Sequence, residues 1–94
     1  MLDYLSVLKT FVTVVECGSM VGAARRRGYS AGAVTRQMGW LQRRLGVRLF
    51  DPEGRSIRPT DDAIGLVEYA RAAIDGADRF DRIARLLAQQ EVFR

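Results

Sequence analysis

Histidine is absent from these 94 residues, and cysteine occurs once, at Cys17. The first absence removes Ser–His and Cys–His nucleophilic pairs and any His-rich metal site. The second removes an internal disulfide and fits a reducing, cytoplasmic setting. No apolar run approaches the roughly 20 residues of a membrane span, and no signal peptide precedes the first amphipathic segment. A glycine-rich phosphate loop is missing as well. Asp61 and Asp62 are the one tempting pair of carboxylates. At a helix start they point in different directions and serve the helix dipole. No enzyme, no metal and no cofactor is expected.

Lysine is also scarce, since fourteen of the fifteen basic residues are arginine. Residues 1–58 hold ten basic and four acidic residues, a net of +6, whereas residues 59–94 hold five and seven, a net of −2. A basic front and an acidic rear point to a polyanion partner for the front alone. Arginine's flat guanidinium suits phosphates and guanine edges better than lysine does.

Apolar spacing predicts four helices. The first covers residues 2–16, with Leu5, Leu8, Val12 and Val15 inward and Phe11 beside them, and stops at Gly18. Ser19 caps a short second helix, Met20–Arg27, whose Ala23 and Ala24 permit close helix approach. Gly28 breaks it, and Ser30 caps a third helix, Ala31–Leu45. Two helices joined by about three residues with a glycine match a helix-turn-helix unit. In the third helix Val34, Met38, Leu41 and Leu45 stack on one face, while Gly32, Thr35, Arg36, Gly39 and Arg43 fall opposite. That outward face is basic and carries little bulk.

Residues 47–50 and 56–58 flank the turn Asp51-Pro52-Glu53-Gly54-Arg55 and read as a small hairpin. Pro59 closes it. Thr60, Asp61 and Asp62 open a last helix of about thirty residues, on which Asp75–Arg79, Asp78–Arg82 and Asp81–Arg85 form favourable i,i+4 pairs. Val67, Ala70, Ile74, Ala77, Phe80, Ala84 and Leu87 step along it by threes and fours. So small a domain cannot bury that whole stripe, and a partner helix is the simplest cover.

Several stretches, taken in order, resemble the N-terminal domain of LysR-type transcriptional regulators. They are Leu8-Lys9-Thr10-Phe11-Val12, Glu16-Cys17-Gly18-Ser19, Ala23-Ala24, Ser30, Ala33-Val34-Thr35-Arg36-Gln37, Leu41, Leu45-Gly46-Val47-Arg48-Leu49-Phe50, Gly54-Arg55 and Arg58-Pro59-Thr60. The resemblance implies a mainly α, winged helix-turn-helix fold with a small β-hairpin wing and a long C-terminal dimerisation helix. It divides the chain into a DNA-binding domain, residues 1–59, and a linker helix, residues 60–94. The third helix would lie in the major groove of double-stranded DNA, and the linker helices would pair two subunits, antiparallel, as a homodimer. A C-terminal domain sensing a small-molecule effector is also implied, and is not among these residues.

By position, Ser30, Thr35 and Arg36 match the family's DNA interface, and Arg55 its wing contact. Ala31 and Gly32 stand where Gln-Pro is usual, Pro52 where a basic residue is common, and Arg27 where an aliphatic one is. The glycine at Gly65 is shifted from its usual place. The expected DNA-binding residues are Ser30, Ala31, Gly32, Thr35, Arg36, Arg43, Arg55 and Arg58. The expected dimer interface is Val67, Ala70, Ile74, Ala77, Phe80, Ala84 and Leu87. Sequence-specific binding of duplex DNA as a homodimeric, bacterial-type transcriptional regulator is the expected function. A second reading makes the chain a protein-interaction module, hetero-dimerising through the long helix to block a full-length regulator.

Overall fold

The computed structural model describes residues 3–54 and 56–91. Its elements run α1 (Tyr4–Cys17), α2 (Met20–Arg27), α3 (Ala31–Leu45), β1 (Phe50–Glu53), β2 (Ser56–Pro59) and α4 (Asp61–Glu91). This is the winged helix-turn-helix with a long last helix that the patterning predicts.

Local chemistry sets the ends of these elements. Ser19 Oγ accepts from the Gly22 N–H at 2.8 Å and Ser30 Oγ from the Ala33 N–H at 3.1 Å, so both predicted caps form. Thr60 Oγ1 accepts from the Ala63 N–H at 3.1 Å and donates to Arg48 O at 2.8 Å, capping α4 and tying it to the segment before the wing. Between α2 and α3 the chain turns at Gly28, whose φ of 74° is a left-handed conformation that a side chain would strain.

α1 is buried on more sides than an amphipathic helix, because α2 and α3 pack on it from one direction and α4 from another. Its deepest residues are Val7, Phe11 and Val14, not the predicted Leu5, Leu8, Val12 and Val15. Of those four only Val12 is buried; Leu8 and Val15 pack at the margin and Leu5 is exposed. Thr10 and Thr13 enter the core because their hydroxyls donate to Ser6 O and Lys9 O one turn back. Ala23, Ala24, Val34, Met38 and Leu41 complete the core from the helix-turn-helix side. Phe50 meets Phe11 edge to face, with ring centroids 6.0 Å apart. Leu45, expected on the inner face of α3, is exposed at its end and lines an apolar groove with Tyr4, Leu8 and Tyr69.

The wing differs from its predicted register. β1 begins at Phe50 and includes Asp51, Pro52 and Glu53, and the pairs are Phe50↔Pro59, Asp51↔Arg58, Pro52↔Ile57 and Glu53↔Ser56. Residues 47–49 lie outside β1, because α3 takes the N–H groups of Val47 and Leu49, although Leu49 O still accepts from the Thr60 N–H at 2.9 Å. Val47 N–H donates to Gln42 O, and Leu49 N–H to Gln42 Oε1 at 2.7 Å. Both prolines occupy alternate pairs, so the donors the ladder needs come from Asp51↔Arg58 and Glu53↔Ser56.

α4 packs antiparallel on α1 and then runs past the domain, giving a molecule 60 Å long and 25 Å across. Two apolar seams wind along it. Ala63, Val67 and Ala70 are buried in the chain's own core, and Ile74 packs against its edge. Val67 and Ala70, expected in the dimer interface, are thus consumed by the monomer, and Ile74 and Ala77 are half covered. The second seam, Tyr69, Ala73, Gly76, Phe80, Ile83 and Leu87, lies roughly 120° round the helix and is exposed along its whole length. Phe80 and Leu87 belong to it, and Ala84 lies between the seams. Among the described residues none of the three predicted i,i+4 pairs closes to within 4.0 Å. On an exposed helix the Coulomb gain barely exceeds the rotamer entropy lost.

Candidate nucleic-acid interface

The face of α3 opposite its buried stripe stands open. Ser30, Ala31, Gly32, Thr35, Arg36 and Arg43 are all exposed, and among the described residues no other part of the chain covers them. Long side chains on a helix lean toward its N-terminus. Arg36 and Arg43 do so here, each laying its guanidinium back over a glycine one turn earlier. A Cβ built on Gly32 would stand 3.8 Å from Arg36 Nη1, and one on Gly39 3.3 Å from Arg43 Nη1. The glycines therefore leave a shallow channel in which two cations lie along the helix.

These two arginines also differ electrostatically from most of their neighbours. Arg26 pairs with Glu16 at 3.1 Å, Arg48 with Asp51 at 2.8 Å and Arg58 with Glu53 at 3.5 Å. Arg71 reaches Glu16 at 3.1 Å and Glu68 at 3.2 Å. Its pKa is raised, first by the hydrogen bond it donates to Glu16, against a partial desolvation. Arg36 and Arg43 have neither an ion pair nor a hydrogen bond among the described residues, and α3 carries no acid. Their donors are free for an external acceptor. Thr35 Oγ1 donates back to Ala31 O at 3.0 Å, which leaves its oxygen to accept and its methyl to touch. Ser30 Oγ, as an accepting cap, keeps its own proton to donate.

Arg44 is held differently, with its Cζ 4.3 Å from the Tyr4 ring centroid and 5.7 Å from that of Trp40. Tyr4 and Trp40 themselves meet edge to face at 6.1 Å. Trp40 packs against the core's margin.

The wing stands beside α3. Ser56 Oγ donates to Gly18 O at 2.7 Å, tying β2 to the α1–α2 turn, and Gln42 holds the other approach. Arg58 is exposed, and it lines an open cleft of about 720 Å³ with Arg48, Asp51, Asp61 and Asp62. Three carboxylates make that cleft a poorer seat for a phosphate than the acid-free face of α3. Arg55 lies outside the described residues. Sequence reading missed Gln42, Ser56 and Glu16, whose partners are backbone groups or arginines far along the chain. Arg27, standing where an aliphatic residue is common, has its guanidinium bonded through Nε and Nη2.

A family model described as "Bacterial regulatory helix-turn-helix protein, lysR family" matches residues 5–64. The HTH-type transcriptional regulator TcbR of Pseudomonas sp. (strain P51) is 36% identical over 85 residues, which is 90% of this chain and 29% of that protein. The HTH-type transcriptional regulator AbaB of Streptomyces antibioticus is 41% identical over 71 residues, 76% of this chain and 24% of that protein. The chain thus spans less than a third of either relative. A crystal structure of the CbnR DNA-binding domain with DNA superposes with a TM-score of 0.85 at 36% identity, covering 89% of this chain and 97% of that one. Over almost their whole lengths the two share one fold.

Proposed function

Because the chain belongs to the lysR family of bacterial regulatory helix-turn-helix proteins, we propose that it is the DNA-reading part of a transcriptional regulator acting as a homodimer. One observation carries this reading: among the described residues the outward face of α3 is uncovered, free of acids and bears two unpartnered arginines. A helix with its side chains is 10–12 Å wide and fills a major groove about 12 Å across. In that groove Arg36 and Thr35 would face base edges, with Arg43 further along. Ser30 at the helix N-terminus would meet a phosphate, and Arg58 on the wing a flanking strand. That the similar CbnR domain is solved in complex with DNA supports DNA as the partner.

Pairing follows from α4. Its exposed seam of Tyr69, Phe80, Ile83 and Leu87 steps by threes and fours in the manner of a coiled coil, and it continues from the groove of Tyr4, Leu8 and Leu45. Residues 1–59 then serve as the reading unit and residues 60–94 as the pairing helix, although the first three turns of α4 share the reading unit's core. The reading in which α4 alone is the working surface gains nothing from this geometry, since it leaves the open basic face of α3 without a use.

Binding to a generic duplex, measured across about 50 to 200 mM salt, tests the proposal. Several phosphate contacts give a steep fall of log K with log salt. A flat response, or no binding at low salt, would contradict it.

A further inference from the structure

We propose that Arg27 is a positioning residue of the reading unit: its guanidinium fastens the α2–α3 turn to α1 and so fixes how the first turn of α3 meets DNA. The inference rests on the DNA-reading function proposed above and adds to it a residue that touches no DNA.

Arg27 ends α2, and its side chain turns inward across α1. Nε–H donates to Thr10 Oγ1 at 3.2 Å. Nη2 shares its hydrogens among Ser6 Oγ at 2.9 Å, Ser6 O at 3.1 Å and Tyr29 Oη at 3.1 Å. Tyr29 Oη and Ser6 Oγ are themselves 3.0 Å apart, and the Arg27 Cζ lies 5.0 Å from the Tyr29 ring centroid. Arg27, Ser6, Thr10 and Tyr29 thus form a knot joining two segments, residues 6–10 and 27–29, through bonds that span 17 to 23 residues of chain.

All four acceptors are neutral. Among the described residues no carboxylate comes within ion-pair distance of Arg27, whereas Arg26 beside it is paired with Glu16. Asp3 just before α1, Lys9 of α1 and Asp78 and Asp81 of α4 line the same open cleft without reaching it. A charge held by neutral oxygens depends on direction, which a planar fork supplies and a lysine ammonium does not.

The knot bears on α3 through Tyr29. Its backbone N–H donates to Ala24 O at 2.9 Å, its phenol is tied to α1, and the next residue, Ser30, caps α3. The turn is therefore fixed at three successive points, and Arg36 lies less than two helical turns beyond. Guanidinium donors spent on α1 are not available to a phosphate, which separates Arg27 from Arg36 and Arg43.

The test uses a preferred duplex selected by the wild-type chain from random DNA, and compares Arg27→Met, Arg27→Lys and Tyr29→Phe. The two Arg27 variants should each lower the ratio of preferred to random affinity by about tenfold. Their salt slopes should stay at the wild-type value, and amide exchange at Tyr29, whose N–H is bonded to Ala24 O, should accelerate in the free protein. Tyr29→Phe should do the same to a smaller degree. Combined with Arg27→Met it should add less than its separate effect, because the two share one bond. Should Arg27→Met lose the fold, Tyr29→Phe removes a single hydroxyl and carries the same comparison. Full discrimination by Arg27→Lys overturns the proposal, since charge alone would then suffice. So does a salt slope reduced by about one per subunit in Arg27→Met, the mark of a direct phosphate contact. So does unchanged exchange at the turn. If the wild-type chain binds no duplex, the DNA reading fails, and the exchange measurement still decides whether Arg27 holds the turn.

Discussion

Arg43 lies over Gly39, with its Nη1 only 3.3 Å from where a Cβ on that glycine would sit. A glycine inside a helix costs about 1 kcal/mol relative to alanine, and nothing else in the fold occupies the space beside Gly39. Gly39→Ala should therefore stabilise the free protein, by about 0.5–1 kcal/mol, because the tip of Arg43 can move aside. It should also displace Arg43 and thicken the face offered to DNA, weakening duplex binding severalfold. A thermal melt and a duplex titration on one sample check the opposite signs.

Gly22 behaves in the reverse sense. A Cβ there would stand 2.8 Å from Ser19 Oγ, the hydroxyl that caps α2. Gly22→Ala should lower stability by about 1 kcal/mol, the cost of a lost cap, in spite of alanine's better helix propensity. Chemical denaturation alongside Ser19→Ala checks this, since the two losses should not add.

Gln42 should prove as important to the wing as the hairpin itself. Leu49 is fully buried, and its N–H has Gln42 Oε1 as its acceptor. Gln42→Leu would orphan that donor at a cost of about 1–3 kcal/mol. Protease cleavage between residues 46 and 60, followed by mass spectrometry, should accelerate more than cleavage elsewhere.

On the proposed homodimer, the two seams of α4 separate pairing from folding. Phe80→Glu, on the exposed seam, should leave the monomer's melting behaviour intact and shift sedimentation from dimer to monomer. Val67→Asp, on the buried seam, should unfold the chain by several kcal/mol, because an unpaired charge would enter the core. A folded Val67→Asp monomer would place the dimer interface on the wrong seam.

Much of this fold is legible in the sequence, because the signals that end its helices are local. Ser19, Ser30 and Thr60 each act on an N–H three residues on, so the bounds of α2 and α3 follow from adjacent residues. The wing register is not local: Gln42, seven residues before Leu49, decides where β1 begins. The inner face of α1 is illegible for another reason, since periodicity marks one buried stripe and this helix is covered from two sides. On α4, spacing by threes and fours fits both seams equally, and only packing against α1 shows which one the monomer uses. The outward face of α3 was readable because residues one and two turns apart on a capped helix must share a side. The knot at Arg27 was not, since it depends on Ser6 and Thr10, 21 and 17 residues away.

The central claim is that the open face of α3 reads DNA. Its most direct measurement is the ratio of affinities for a selected duplex and for random duplex, in the wild-type chain and in Arg36→Ala. Loss of a base contact worth about 1–3 kcal/mol should cut that ratio by roughly tenfold or more, while Val67 and the rest of the core keep the protein folded. A ratio identical in the two proteins would contradict the account.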